Sequence, residues 1–231
     1  EARKLLLAAL TDHQARITRV RAADPQRQQS YQATLEQFGA LRGGQLFYPY
    51  LGSGIGRGTL VELADGSVKY DMITGIGVHY MGHSHPDLLV AAIDAALGDT
   101  VMQGNLQQNI ECVDLSQRLV DMAMQTGSRL GRCFLTSSGA MANENAMKML
   151  FQRKAPADRM LAFDHCFAGR TLALAPLTAT SAYRQGLPPT LGVDYVSFFN
   201  HADPAGSTNL AVATLRDHLR RQPGRYAGMC M

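Results

Sequence analysis

The sequence has no tryptophan, and its four cysteines (Cys112, Cys133, Cys166, Cys230) lie far apart with no CxxC pair among 231 residues. A disulfide scaffold or zinc ribbon therefore lacks its ligand pattern, and a reducing cytoplasm is the default setting. Lysine is scarce as well, with four in all (Lys4, Lys69, Lys148, Lys154). No apolar run approaches the ~18–20 residues that span a bilayer. The opening stretch EARKLLLAALTDHQARITR continues as a charged helix without a small-residue cleavage site, which argues against a signal peptide. Excess charge is also missing: 22 Lys+Arg against 19 Asp+Glu leave +3, too little to argue for nucleic acid or a membrane surface. What is present is an ordinary globular composition, 46% hydrophobic and 18% charged, with length for one large domain or one and a half.

Residues 1–44 are rich in Arg, Gln and Ala. Leu6, Leu7, Leu10, Ile17 and Val20 fall at helical spacing, which predicts an amphipathic helical extension closed by Gly43-Gly44. LFYPYLGSGIGRG then reads as a loop, and TLVELADGSVKYDM as two β-prone runs around Asp65-Gly66, a dipeptide of tight hairpin turns in which both central residues take positive φ. A helix is expected to start at Pro86 and end at Gly98, and a second to run through about 110–126. From there strand-like and helical stretches alternate. CFLTS (133–137), MLAFD (160–164), DYVSFF (194–199) and RYAGMCM are strand-like; AMANENAMKMLFQR and STNLAVATLRDHLRRQ are helical. This pattern predicts an α/β domain with a parallel-rich sheet and flanking helices.

Gly52, Gly54, Gly56 and Gly58 mimic a dinucleotide-binding loop. They open a hairpin rather than a strand–turn–helix, so an entry loop is the better reading. His79, His83 and His85 lack the carboxylate or cysteine that would complete a metal set. FLTSSGAMANENAMKM is more informative. An apolar run enters Ser137-Ser138-Gly139 and a helix begins at once, so free N–H groups and serine hydroxyls converge where an anion such as phosphate would bind. Ser138 would equally cap a purely structural helix. In HCFAGRT (165–171), Phe167 can lie on an aromatic ring and Arg170 can fork onto a carboxylate; a core phenylalanine and a surface arginine are the plain alternatives.

In combination, VELADGSVKYDMITGIGVHYMGHSHPDLLVAAI, the helix after it, FLTSSGAMANENAMKM and FDHCFAGRTLALAPLTATSAYRQGLP resemble the class III (subgroup II) aminotransferases, in the family's order, over about 46 to 231. Residues 1–44 carry no such likeness. The resemblance implies a fold-type I scaffold that uses pyridoxal 5′-phosphate and an ornithine- or acetylornithine-type activity. It implies that Ser138, Gly139 and Ala140 hold the cofactor phosphate, Phe167 stacks on its ring and Arg170 binds a substrate carboxylate. Ile76 and Tyr48 fall where the family lines its substrate pocket. It further implies an amine donor and a 2-oxo acid as substrates, a homodimer, and no nucleic-acid or membrane partner. Ala168 stands where histidine is usual and Met141 where an acidic residue is usual. The family's Schiff-base lysine, its aspartate on the pyridine nitrogen and the acidic segment before it lie further along, and RYAGMCM resembles the strand just ahead of them. The expected division is an extension (1–44), a hairpin and helix segment belonging to the small domain (45–103), and the first part of the large cofactor-binding domain (104–231). The expected function is that of the N-terminal portion of an aminotransferase, with no catalytic residue of its own and inactive alone. Alternatives are a non-catalytic truncated fragment or another fold-type I enzyme, such as an aminomutase or racemase.

Overall fold

The computed structural model describes residues 1–98 and 108–231; the expected boundary at 103/104 lies outside them. The chain forms two compact units, Glu1–Gln107 and Gln108–Met231.

In the first unit, α1 (Ala2–Gln14) and α2 (Pro25–Leu41) bracket a link that joins a three-stranded antiparallel sheet of β1 (Gly52–Arg57), β2 (Leu60–Leu63) and β3 (Val68–Tyr70). Ile17 lies in that link rather than on a helix and is fully buried. Arg21 exchanges two backbone hydrogen bonds with Val68, and Arg21 also pairs with the buried carboxylate of Glu62 at 2.6 Å. The glycine-rich stretch read as a loop is a strand at 52–57, because pairing with β2 supplies the order that its glycines withhold. The Asp65-Gly66 turn is longer than a two-residue hairpin. Gly66 takes φ +80° while Asp65 stays out of the left-handed region, and the Asp65 carboxylate accepts from the Ser67 N–H at 2.8 Å. After β3 comes α3 (Thr74–Gly77), a single turn with left-handed φ at Gly75 and Ile76, and then α4 (Pro86–Ala96), which starts at Pro86 as expected and is capped by His85.

The second unit holds α5 (Ile110–Gln125), α6 (Gly139–Lys154), β4 (Arg159–Phe163), β5 (Gly192–Val196), α7 (Pro204–Arg221) and β6 (Tyr226–Cys230). The three strands are parallel in the order β5-β4-β6. Met147, Met160, Ala162, Leu174, Leu177 and Ala227 form the core between α6, the sheet and the segment after β4. Gly228 lets α6 sit close to β6, since a Cβ there would stand 2.8 Å from Leu150 Cδ1. Two strand expectations shorten. CFLTS is irregular, having no strand to pair with among the described residues, and DYVSFF keeps strand geometry only to Val196. An apolar run becomes a strand only where a neighbour takes its hydrogen bonds.

Candidate functional site

The site grows from the start of α6. Ser138 caps the helix, its Oγ accepting from the Met141 N–H at 3.2 Å, and the Ser138 carbonyl accepts from the Ala142 N–H. The N–H groups of Gly139 and Ala140 precede the first possible intrahelical bond, so they point outward together with the helix dipole. A Cβ added at Gly139 would meet nothing within 4 Å. The turn is thus open on its outer side, with a hydroxyl and two backbone donors around it, which fits a phosphate group.

The segment after β4 is fastened to this turn. The Asn143 side-chain amide donates to the Ala168 carbonyl at 2.8 Å, and the Thr171 hydroxyl hydrogen-bonds the Glu144 carboxylate. Gly169 adopts φ +138°, and a Cβ there would lie 2.8 Å from Leu174 Cδ1 and 3.2 Å from Ala140 Cβ. Only glycine permits that approach. Thr178, fully buried, donates to the Gly169 carbonyl at 2.8 Å and accepts from the Ala168 N–H at 3.2 Å. Phe167 is left 62% exposed, and Arg170 is exposed as well. Residues read from two separate motifs are therefore neighbours: the serine–glycine turn, an aromatic ring and a guanidinium. The expectation that a strand would deliver the serine turn gives way to side-chain and glycine contacts that do so instead.

Cys166, inside the same motif, is no nucleophile. Burial and the neighbouring Cys230 push its thiol up to about 11, so it is protonated near neutral pH. Its sulfur hydrogen-bonds the Leu177 carbonyl at 2.7 Å. No cluster of three or more His, Cys, Asp or Glu fit for a metal occurs among the described residues.

The aminotransferase class-III family model matches residues 53–221. The chain belongs to that family. Relatives of this aminotransferase-family chain include the acetylornithine aminotransferase of Myxococcus xanthus, 35% identical over 58% of this chain and 33% of that protein. The mitochondrial acetylornithine aminotransferase of Saccharomyces cerevisiae is 31% identical over 71% of this chain and 40% of its own length. The chain therefore spans about a third to two fifths of these relatives. Among solved structures, the taurine:2-oxoglutarate aminotransferase of Bifidobacterium kashiwanohense, crystallised with pyridoxal phosphate and glutamate, superposes with a TM-score of 0.68 at 20% identity, covering 84% of this chain and 47% of that one. The fold-type I expectation is met by such neighbours.

Tyr48 and Ile76 belong to the first unit. Tyr48 is exposed and stands edge-on to Phe47 at 4.8 Å. Ile76, 92% exposed, holds φ +57°, unusual for a β-branched residue. The turn that carries it is tied down by Asp71, whose carboxylate accepts from the Ile73 and Thr74 N–H groups at 2.9 Å each and meets His83 Nε2 at 2.8 Å. Those backbone bonds from Thr74 and Ile73, with the His83 contact, hold the Asp71 carboxyl below its ordinary range. One residue of the second unit escaped the sequence reading. Tyr183 lies 6.1 Å from the Phe167 ring at 82° and 5.5 Å from the Arg170 guanidinium. Its only local signal is an aromatic residue inside TSAYRQ.

Proposed function

We propose that this chain is the N-terminal portion of a pyridoxal phosphate-dependent aminotransferase that moves an amino group from a basic or ω-amino donor to a 2-oxo acid. Ser138, Gly139 and Ala140 hold the cofactor phosphate, Phe167 covers one face of its ring, and Arg170 takes a donor carboxylate. When bound, the cofactor supplies an electron sink for the substrate's broken C–H bond. The observation that carries this reading is the seam of Asn143–Ala168 and Ala140–Gly169, which sets the phosphate turn beside Phe167 and Arg170. The chain's relatives, acetylornithine aminotransferases by name, support an ω-amino donor. None of the four lysines belongs to the residues of this seam: Lys148 and Lys154 are on α6 beyond its first turn, Lys4 is on α1 and Lys69 on β3. The chain by itself is accordingly inactive, and the anchoring lysine belongs to the remaining family length. Tyr48 and Ile76 line the substrate pocket, residues 1–44, 45–103 and 104–231 serve as extension, small-domain segment and cofactor domain, and the working form is a cytoplasmic homodimer.

The test is Arg170→Lys in a polypeptide of the family's full length, assayed on paired donors with and without a carboxylate at that end. A bidentate pair in a partly dry pocket is worth on the order of 2–4 kcal/mol, so catalytic efficiency should fall roughly thirtyfold to a thousandfold on the carboxylate donor. The other donor should lose far less, having no group for Arg170. Equal losses on both would assign Arg170 to the scaffold.

A further inference from the structure

An exposed arginine and an exposed phenylalanine have no fixed direction unless something holds them. Among the described residues no carboxylate pairs with Arg170. Its guanidinium instead rests 5.5 Å from the Tyr183 ring centroid, and the same ring meets Phe167 edge to face at 6.1 Å. Tyr183 is itself held from behind. It sits in the turn Ser181–Arg184, where its N–H donates to the Thr180 carbonyl at 3.1 Å. The next residue, Arg184, donates to the Tyr195 hydroxyl at 3.0 Å and lies over the Tyr195 ring at 5.5 Å. Tyr195 is part of β5, and its hydroxyl in turn donates to the Pro176 carbonyl at 2.5 Å. A continuous line of contacts thus runs from the sheet through Tyr195, Arg184 and Tyr183 to the two exposed side chains.

We propose that Tyr183 is a positioning residue that holds the Phe167 ring and the Arg170 guanidinium in one arrangement and so sets selectivity for donors bearing a carboxylate. The inference rests on the role assigned to Arg170 above. A π-face engages a guanidinium through its charge and spends none of its N–H donors, so the fork stays available to a carboxylate. No hydrogen bond of the Tyr183 hydroxyl is part of the arrangement; the ring does the positioning. Phenylalanine at this place therefore suffices, and leucine, of similar bulk but without a π-face, does not.

Two measurements test it. The sequence has no tryptophan, so Phe167→Trp gives the chain a single tryptophan at the clamp, excited selectively at the red edge of its absorption. Adding Tyr183→Leu should raise acrylamide quenching and lower anisotropy of that emitter, while Tyr183→Phe should leave both near the Phe167→Trp values. Without the reporter, in a polypeptide of full family length, Tyr183→Leu should raise KM for the carboxylate donor on the order of fivefold with kcat little changed and the carboxylate-free donor unaffected. Tyr183→Phe should restore the parent KM. Unchanged quenching in Tyr183→Leu overturns the proposal. So do equal KM changes on both donors while Arg170→Lys still discriminates between them, a result that leaves the function standing. If Arg170→Lys fails to discriminate, the functional reading has failed, and the selectivity half of the proposal falls with it.

Discussion

Replacing Gly169 with alanine should unfasten the site from within the second unit. The backbone there is at φ +138°, which an L side chain rarely adopts, and the added Cβ would stand 2.8 Å from Leu174 Cδ1 and 3.2 Å from Ala140 Cβ. Leu174 is fully buried in the core, so it has no empty space to turn into. Backbone strain of about 1–3 kcal/mol and overpacking of a similar size combine, with partial relaxation, to about 2–4 kcal/mol. That corresponds to a fall in Tm on the order of 10 °C for a unit of this size. Gly139→Ala is the matched control, because its Cβ meets nothing within 4 Å and its φ is not positive. Thermal melts of the two variants and the parent, followed by far-UV circular dichroism, make the comparison. A Gly169→Ala melt indistinguishable from the Gly139→Ala melt would refute the claim that glycine at 169 is required by the close approach to α6.

Further outcomes follow from other parts of the molecule. Burial would raise the Asp194 carboxyl, but hydrogen bonds from Tyr226 and Arg159, at 2.6 and 2.8 Å, outweigh it and hold the carboxyl below its ordinary range. A carboxylate depressed in the fold stabilises above its unfolded pKa of about 3.9 and loses that contribution as pH falls through the folded value; Asp194→Asn should therefore flatten the acid side of a stability–pH curve from denaturant melts, and an unchanged acid limb would contradict the network. Ser138→Ala removes the cap of α6 and should cost about 1 kcal/mol in the same melts, with no loss if the Met141 bond is dispensable. Pyridoxal phosphate followed by borohydride should label the lysines of this chain only in a scattered, substoichiometric way; one lysine labelled stoichiometrically in the peptide map would contradict the assignment of the anchoring residue elsewhere.

Much of the second unit was legible because local signals agree with tertiary ones. MLAFD is apolar, short and followed by a turn, and it pairs on both sides as β4; the Ser138 cap and the basic end of α6, Arg153 and Lys154, mark that helix from sequence alone. CFLTS carries the same apolar signal without a pairing neighbour, so composition alone misread it. The reverse holds at 52–57, where glycines hide a strand that only the register Arg57↔Leu60 and Gly56↔Val61 creates. Ile17 shows helical spacing, yet it lies in the link between α1 and α2 and is fully buried there. Ser138, Phe167 and Arg170 stand out in the sequence as candidates, but Tyr183 does not. Its contacts to Phe167 and Arg170 arise from a turn anchored on β5, and nothing in the neighbouring sequence encodes that distance.

If the start of α6 binds phosphate, as proposed, it is more than a capped helix, and one substitution separates the two. Gly139→Val, introduced into a polypeptide of the family's full length, places a branched side chain where the outward space now lies. After exhaustive dialysis, the fraction of protein still carrying pyridoxal phosphate, read by absorbance, decides the matter. Retained cofactor should fall markedly, with the Tm of the apoprotein unchanged. Retention equal to the parent's would contradict the proposal and leave Ser138 as a helix cap alone.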